Sequence, residues 1–144
     1  MQYKRLLILF ILFLVLPYIN NSCKKDKQDQ IPVVAVDFYI NVNSTQYLEL
    51  HSVNGWVNVT GGVRGIIIYR KSIDEFMVYE RNCSYQPSNS CARVSVDNTN
   101  LMAIDTCCGS KFLLTDGSVI QGPAIYPLKQ YRNTYDGSSL HVFN

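Results

Sequence analysis

Of the five cysteines in this 144-residue chain, Cys83, Cys91, Cys107 and Cys108 lie close enough in sequence to do chemistry together. Sulfur in that arrangement can bridge into disulfides, ligate an iron–sulfur cluster, hold zinc or exchange disulfides. Zinc on these four is unsupported, because tetrahedral sites usually draw on spaced Cys-x2–4-Cys pairs. Exchange chemistry lacks the Cys-x-x-Cys at a helix start that would lower a thiol pKa. A [2Fe–2S] cluster held by Cys83, Cys91, Cys107 and Cys108, as in four-cysteine ferredoxins, stands as the alternative to disulfides. Four cysteines allow three complete pairings, and the spacing does not choose among them.

Redox compartment decides between bridges and thiols, and the N-terminus speaks to it. Lys4 and Arg5 precede an unbroken apolar run over residues 6–16, short of the roughly 20 residues a membrane span needs. A basic start, a short apolar core and a small residue read as a secretory signal peptide over residues 1–22. Ser22-Cys23 at its end resembles a bacterial lipobox, with Asn20 where an aliphatic residue is usual. The resemblance makes Cys23 the lipidated first residue of the mature chain. Each buried methylene of such an anchor contributes about 0.8 kcal/mol, and two or more acyl chains hold stably. Residues 23–32, rich in Lys, Asp and Gln, then form a flexible, lipid-anchored linker. The destination is the bacterial cell envelope, on a membrane facing the periplasm or the surface. An exported protein meets oxidising conditions, which favours disulfides.

Removing residues 1–22 also removes Lys4 and Arg5, so the thirteen Lys/Arg fall by two and equal the 11 Asp/Glu. The net charge becomes zero, and no clustered basic face for nucleic acid remains. Residues 33–144 suit a single β domain.

The elements that must carry the cysteines are short strands. Val36, Phe38, Ile40 and Val42 alternate with Asp37, Tyr39, Asn41 and Asn43, the period of a half-buried strand. Residues 47–50 read as a short strand or one helical turn. Residues 65–69 and 75–80 form a hairpin that delivers the chain to Cys83, and residues 85–90 form a loop. Short strands at 93–96 and 101–104 lead to Cys107-Cys108. Asp116-Gly117 and Asp136-Gly137 each punctuate a further hairpin. The expected architecture is all-β: antiparallel sheets of about nine short strands, with two cysteine loops at one tip.

Gly109-Ser110-Lys111-Phe112, then Asp116-Gly117, Gly122-Pro123-Ala124 and Pro127-Leu128, resembles the Rieske [2Fe–2S] domain. In that family a Cys-x-His loop and a Cys-x-x-His loop hold one cluster, the second running directly into Gly-Ser-x-Phe. The likeness extends over about residues 57–144 and is densest at 107–128. It implies a Rieske-like fold in which most cluster ligands have been replaced. Cys83 keeps the first cysteine position, Tyr85 takes the first histidine position, Asp105 the second cysteine position and Cys108 the second histidine position. Two thiolates and two imidazoles define Rieske ligation, and this set cannot supply it.

Some Rieske proteins carry an extra cysteine just before the second histidine, bridged to one after the first ligand loop. The resemblance implies Cys91–Cys107 as that bridge, which leaves Cys83–Cys108 as a second, with the crossed pairing as runner-up. No cofactor and no metal are then expected. His51 and His141 are isolated, and no Ser/His/Asp set or carboxylate pair suggests catalysis. The expected function is non-enzymatic: a membrane-anchored module, stapled by disulfides, that binds a protein partner in the envelope. Ten tyrosines supply side chains suited to such an interface.

Overall fold

The computed structural model describes Tyr3 and residues 29–144. The signal-peptide and Cys23 assignments therefore fall, Tyr3 aside, outside the described residues. Ten strands follow one another where about nine were expected: β1 (Asp37–Asn41), β2 (Trp56–Val59), β3 (Ile66–Arg70), β4 (Phe76–Glu80), β5 (Val94–Val96), β6 (Met102–Asp105), β7 (Lys111–Leu113), β8 (Val119–Gln121), β9 (Arg132–Tyr135) and β10 (Ser139–Phe143). The ambiguous stretch after β1 is a 3-10 helix, Thr45–His51.

The strands make three antiparallel sheets, ordered β1-β10-β9, β2-β3-β4 and β5-β6-β7-β8. The β2-β3-β4 sheet is covered on both faces. Ile67, Tyr69, Met77 and Tyr79 face a core shared with Val94, Ala103, Phe112 and Leu114 of the four-stranded side. Ile66, Ile68, Phe76 and Val78 face the other core, with Ile40, Val42, Leu50, Leu140 and Val142. Alternate side chains point to opposite faces of a strand, so a strand buried on both faces must be apolar throughout. That is why residues 66–69 are Ile-Ile-Ile-Tyr. Each such side chain, fully buried, contributes roughly 1.5–3 kcal/mol.

The chain returns along the free side of β4. Lys129 accepts from the Glu80 N–H at 2.8 Å, and the Tyr131 N–H donates to the Val78 carbonyl at 2.8 Å. This covers an edge that would otherwise be open for pairing. It also brings Tyr131 over Glu80, whose carboxylate is fully buried. That carboxylate accepts from the N–H groups of Val63 (2.7 Å), Arg64 (2.9 Å) and Asn82 (2.9 Å) and from the Tyr131 hydroxyl (2.8 Å). Gly62 lets the turn approach this closely: a Cβ there would sit 2.2 Å from Glu80 Oε2, and its φ is +59°.

Two outcomes are expected. Glu80→Gln turns an amide N–H₂ toward backbone donors and leaves one of them unmatched, at a cost of about 2–4 kcal/mol in urea unfolding. The Tyr131 phenol is pushed above its ordinary pKa of 10.0 by burial and then by Glu80, and Tyr79 is raised by burial and then by Asp116. The folded state thus holds these protons more tightly than the unfolded chain does. Their contribution to stability is complete below about pH 10 and is lost as pH rises toward the folded values. Alkaline titration is expected to show tyrosines that ionise only as the protein unfolds.

Candidate functional site

Three loops meet at one end of the four-stranded sheet. The first, residues 81–93, leaves β4 and turns back to β5. Its stem is closed by Val94 N–H donating to Arg81 O at 2.8 Å and Cys83 N–H to Ala92 O at 3.2 Å. Arg64 pins its far side, donating to Asn82 Oδ1 (3.1 Å) and to the carbonyls of Ser90 and Asn89 (2.6 Å each). Beyond this, Ser88 Oγ is hydrogen-bonded to Asp29 Oδ2.

The second loop, residues 106–110, is a tight reversal between β6 and β7. Gly109 N–H donates to Asp105 O at 2.8 Å and Asp105 N–H to Ser110 O at 2.9 Å. The Asp105 side chain caps this reversal, its Oδ1 accepting from the Cys107 N–H at 2.8 Å. The third is the corner over residues 122–128, which contains a cis Gly122–Pro123 bond. Ser110 Oγ accepts from the Ala124 N–H (2.9 Å), and Ser84 Oγ donates to the Tyr126 carbonyl (2.6 Å), so both cysteine loops are tied to the corner. Gly117 starts the approach to it: φ is +75°, and a Cβ would lie 2.8 Å from the Tyr79 ring.

Cys91 and Cys107 are joined by a disulfide with a Cα–Cα distance of 5.7 Å. It spans the exposed outer faces of the first two loops. The second bridge implied by the family resemblance is not made: Cys83 and Cys108 are free, their sulfurs 3.9 Å apart, against about 2.05 Å for a bonded pair. The reason is packing. Cys83 is fully buried among Ala92, Ala124 and Leu128, and Cys108 Sγ turns toward Ser110 Oγ (3.0 Å) and Asp105 Oδ2 (3.3 Å). The crossed pairing is not made either.

Cys83, Asp105 and Cys108 thus present two sulfurs and a carboxylate oxygen within 4.8 Å of one another. Burial, followed by its contact with Asp105, raises the Cys83 thiol pKa well above the ordinary range. With no cation beside it, this sulfur stays protonated and is a poor nucleophile. Tyr85, at the first histidine position, donates its backbone N–H toward Cys83 Sγ at 3.5 Å. Its side chain lines a cavity of about 250 Å³ with Gln86, Asp105, Cys108 and Pro123.

No protein-family model and no curated protein matches the sequence. Among solved structures, the chain is similar to the cyanobacterial plasma membrane Rieske protein PetC3 from Synechocystis PCC 6803. The TM-score is 0.54 at 22% identity, covering 72% of this chain and 97% of that one. The fold is Rieske-like. NirD of E. coli is also similar, with a TM-score of 0.45 and 12% identity over 76% of this chain and 98% of that one.

The residues at this Rieske-like tip do not fit a [2Fe–2S] group. Neither histidine position carries an imidazole. A four-cysteine cluster would need Cys91 and Cys107 as thiolates, and their sulfurs are bonded to each other. Of the sequence candidates, Cys83 and Cys108 come together and Cys91 and Cys107 stand apart as a bridge. Cys23 lies outside the described residues. His51 stays away from the tip in the 3-10 helix, and His141 pairs with Asp37 at 2.7 Å. Asp105 was legible as a substitution at a cysteine position and Ser110 as part of the Gly-Ser-x-Phe motif; Arg64 gave no local signal.

The disulfide closes a loop of 16 residues, worth about 3 kcal/mol in the chain-entropy view. The Cys91→Ala/Cys107→Ala double variant is expected to lose about that much in denaturant unfolding, with β content unchanged in circular dichroism.

Proposed function

We propose that this is an exported lipoprotein, anchored through Cys23 to a bacterial envelope membrane, whose Rieske-like domain is a non-enzymatic module for binding an envelope protein. The observation that carries the reading is the surface of the tip. Ile125 is 75% exposed and Tyr126 52% exposed on the corner, with Ile120 at 52% on neighbouring β8. Exposed apolar side chains on a corner whose backbone is pinned suit a protein interface. The corner is rigid because Ser84 and Ser110 hold its backbone. Loss of the imidazole ligands argues against electron transfer, and the Cys91–Cys107 bridge keeps the projection in shape without a cluster.

The envelope assignment rests on the N-terminal sequence. Among the described residues no helix is long and apolar enough to cross a membrane; the lipid on Cys23 is the proposed anchor. PetC3, similar in fold, is itself described as a plasma membrane protein.

The test uses the full chain expressed in a bacterium. Wild type is expected in the membrane fraction, and Cys23→Ser in the soluble fraction. A photo-crosslinking residue at position 125 is expected to give one discrete protein adduct, which the same residue at exposed position 73 does not give. Retention of Cys23→Ser on the membrane would overturn the anchor, and the absence of a position-125 adduct would overturn the docking tip. Visible absorbance with iron and acid-labile sulfide in anaerobically purified protein would overturn the non-redox reading in favour of a [2Fe–2S] carrier.

A further inference from the structure

The structure assigns to the loop tip a mononuclear site for a thiophilic divalent cation, zinc in the first instance, held by Cys83 Sγ, Cys108 Sγ and Asp105 Oδ2. This site is independent of the docking role, and it is distinct from a four-cysteine site, which the Cys91–Cys107 bond excludes.

The distances carry the assignment. Two thiolates on one tetrahedral zinc, each at about 2.3 Å, stand about 3.8 Å apart; Cys83 and Cys108 sulfurs are 3.9 Å apart. A thiolate and a carboxylate oxygen on the same ion stand about 3.5 Å apart; Cys108 Sγ and Asp105 Oδ2 are 3.3 Å apart. The two buried members of the group, Cys83 and Asp105, are both 0% exposed. Among the described residues the ion pairs are Lys71–Glu75 and His141–Asp37, so no cationic side chain pairs with the Asp105 carboxylate. A buried carboxylate without a cation is costly, and a metal ion removes that cost.

The surrounding groups already aim the donors, as outer partners do in metal sites. The Cys107 N–H takes Asp105 Oδ1, which leaves Oδ2 for the ion. The Tyr85 N–H points at Cys83 Sγ from 3.5 Å. Ser110 Oγ accepts from the Ala124 N–H and from the Cys108 thiol, 3.0 Å away, and its own hydrogen can turn to Cys108 Sγ once that sulfur is a thiolate. The cavity bounded by Tyr85, Asp105, Cys108 and Pro123 admits water to a fourth position. Binding releases one proton from each thiol, two thiolates and a carboxylate then facing a dication, with no change of oxidation state. The ion clips the two loops together where a second disulfide would otherwise have to form.

The full chain, purified without reductant so that Cys91–Cys107 stays intact, is stripped with a chelator and titrated with Co²⁺ alone, then with Zn²⁺. One Co²⁺ per chain is expected, with a thiolate-to-cobalt charge-transfer band and the d–d pattern of a tetrahedral site, displaced by Zn²⁺. Cys83→Ser and Cys108→Ser are each expected to diminish that band. Asp105→Asn keeps both thiolates but weakens binding by about tenfold or more, at least the loss that follows removal of an outer partner. In case the Cys83 variant fails to fold, the wild-type readout is alkylation of half-buried Cys108, expected to slow at least tenfold with Zn²⁺ present. No cobalt binding, an octahedral spectrum indifferent to Cys108→Ser, or alkylation unaffected by Zn²⁺ would each overturn the site. So would an intact mass two hydrogens lighter, showing Cys83–Cys108 oxidised; neither that result nor cobalt binding bears on the position-125 crosslink.

Discussion

One buried carboxylate sets the geometry of this domain. Glu80 ends the edge strand β4 with its side chain out of water, and no cationic side chain pairs with it among the described residues. Such a group is tolerable only where enough donors converge on it. They come from three separate stretches: the Gly62–Arg64 turn, Asn82 and Tyr131. Satisfying all of them at once seats the β2–β3 turn, brings the returning chain beside β4 and fixes the exit toward the first loop. Cys83 follows three residues after Glu80, so its position is inherited from this arrangement. Arg64, held by the same carboxylate through its backbone, reaches across to the Asn89 and Ser90 carbonyls and fixes the outer half of that loop.

The tip is supported from its backbone. Reversal of the second loop depends on Asp105, Gly109 and Ser110 hydrogen bonds, and none of these requires a histidine or a cluster. The corner is likewise held by hydroxyl contacts from Ser84 and Ser110. This explains how the loops keep a Rieske-like shape while three of the four ligand positions hold Tyr85, Asp105 and Cys108. The exposed Cys91–Cys107 bridge restrains the loops from outside. The two free thiols with Asp105 lie inside that bridge, still directed at a common point.

Strand positions were readable because they follow from local pattern. Alternation at residues 36–42 marked β1, and Asp116-Gly117 and Asp136-Gly137 marked the turns where Asp Oδ1 accepts the following N–H groups. Glu80 was not readable as a buried hub. A glutamate at the end of a strand usually meets solvent, and three of its four donors lie 16 to 51 residues away along the chain. Arg64 was silent for the same reason, its acceptors lying 18 to 26 residues away.

The sequence by itself determined the all-β class, the two-loop tip and the absence of the imidazole ligands, because these depend on residue identity and short-range spacing. Only the tertiary structure decided how the sulfurs are distributed. Which of two adjacent cysteines faces outward and which faces inward depends on the twist of one tight loop. Cys107 turns out to Cys91, and Cys108 turns in to Cys83 and Asp105. That orientation is set by the Asp105 cap and the Gly109 reversal, a matter of dihedral angles that one-dimensional spacing does not record.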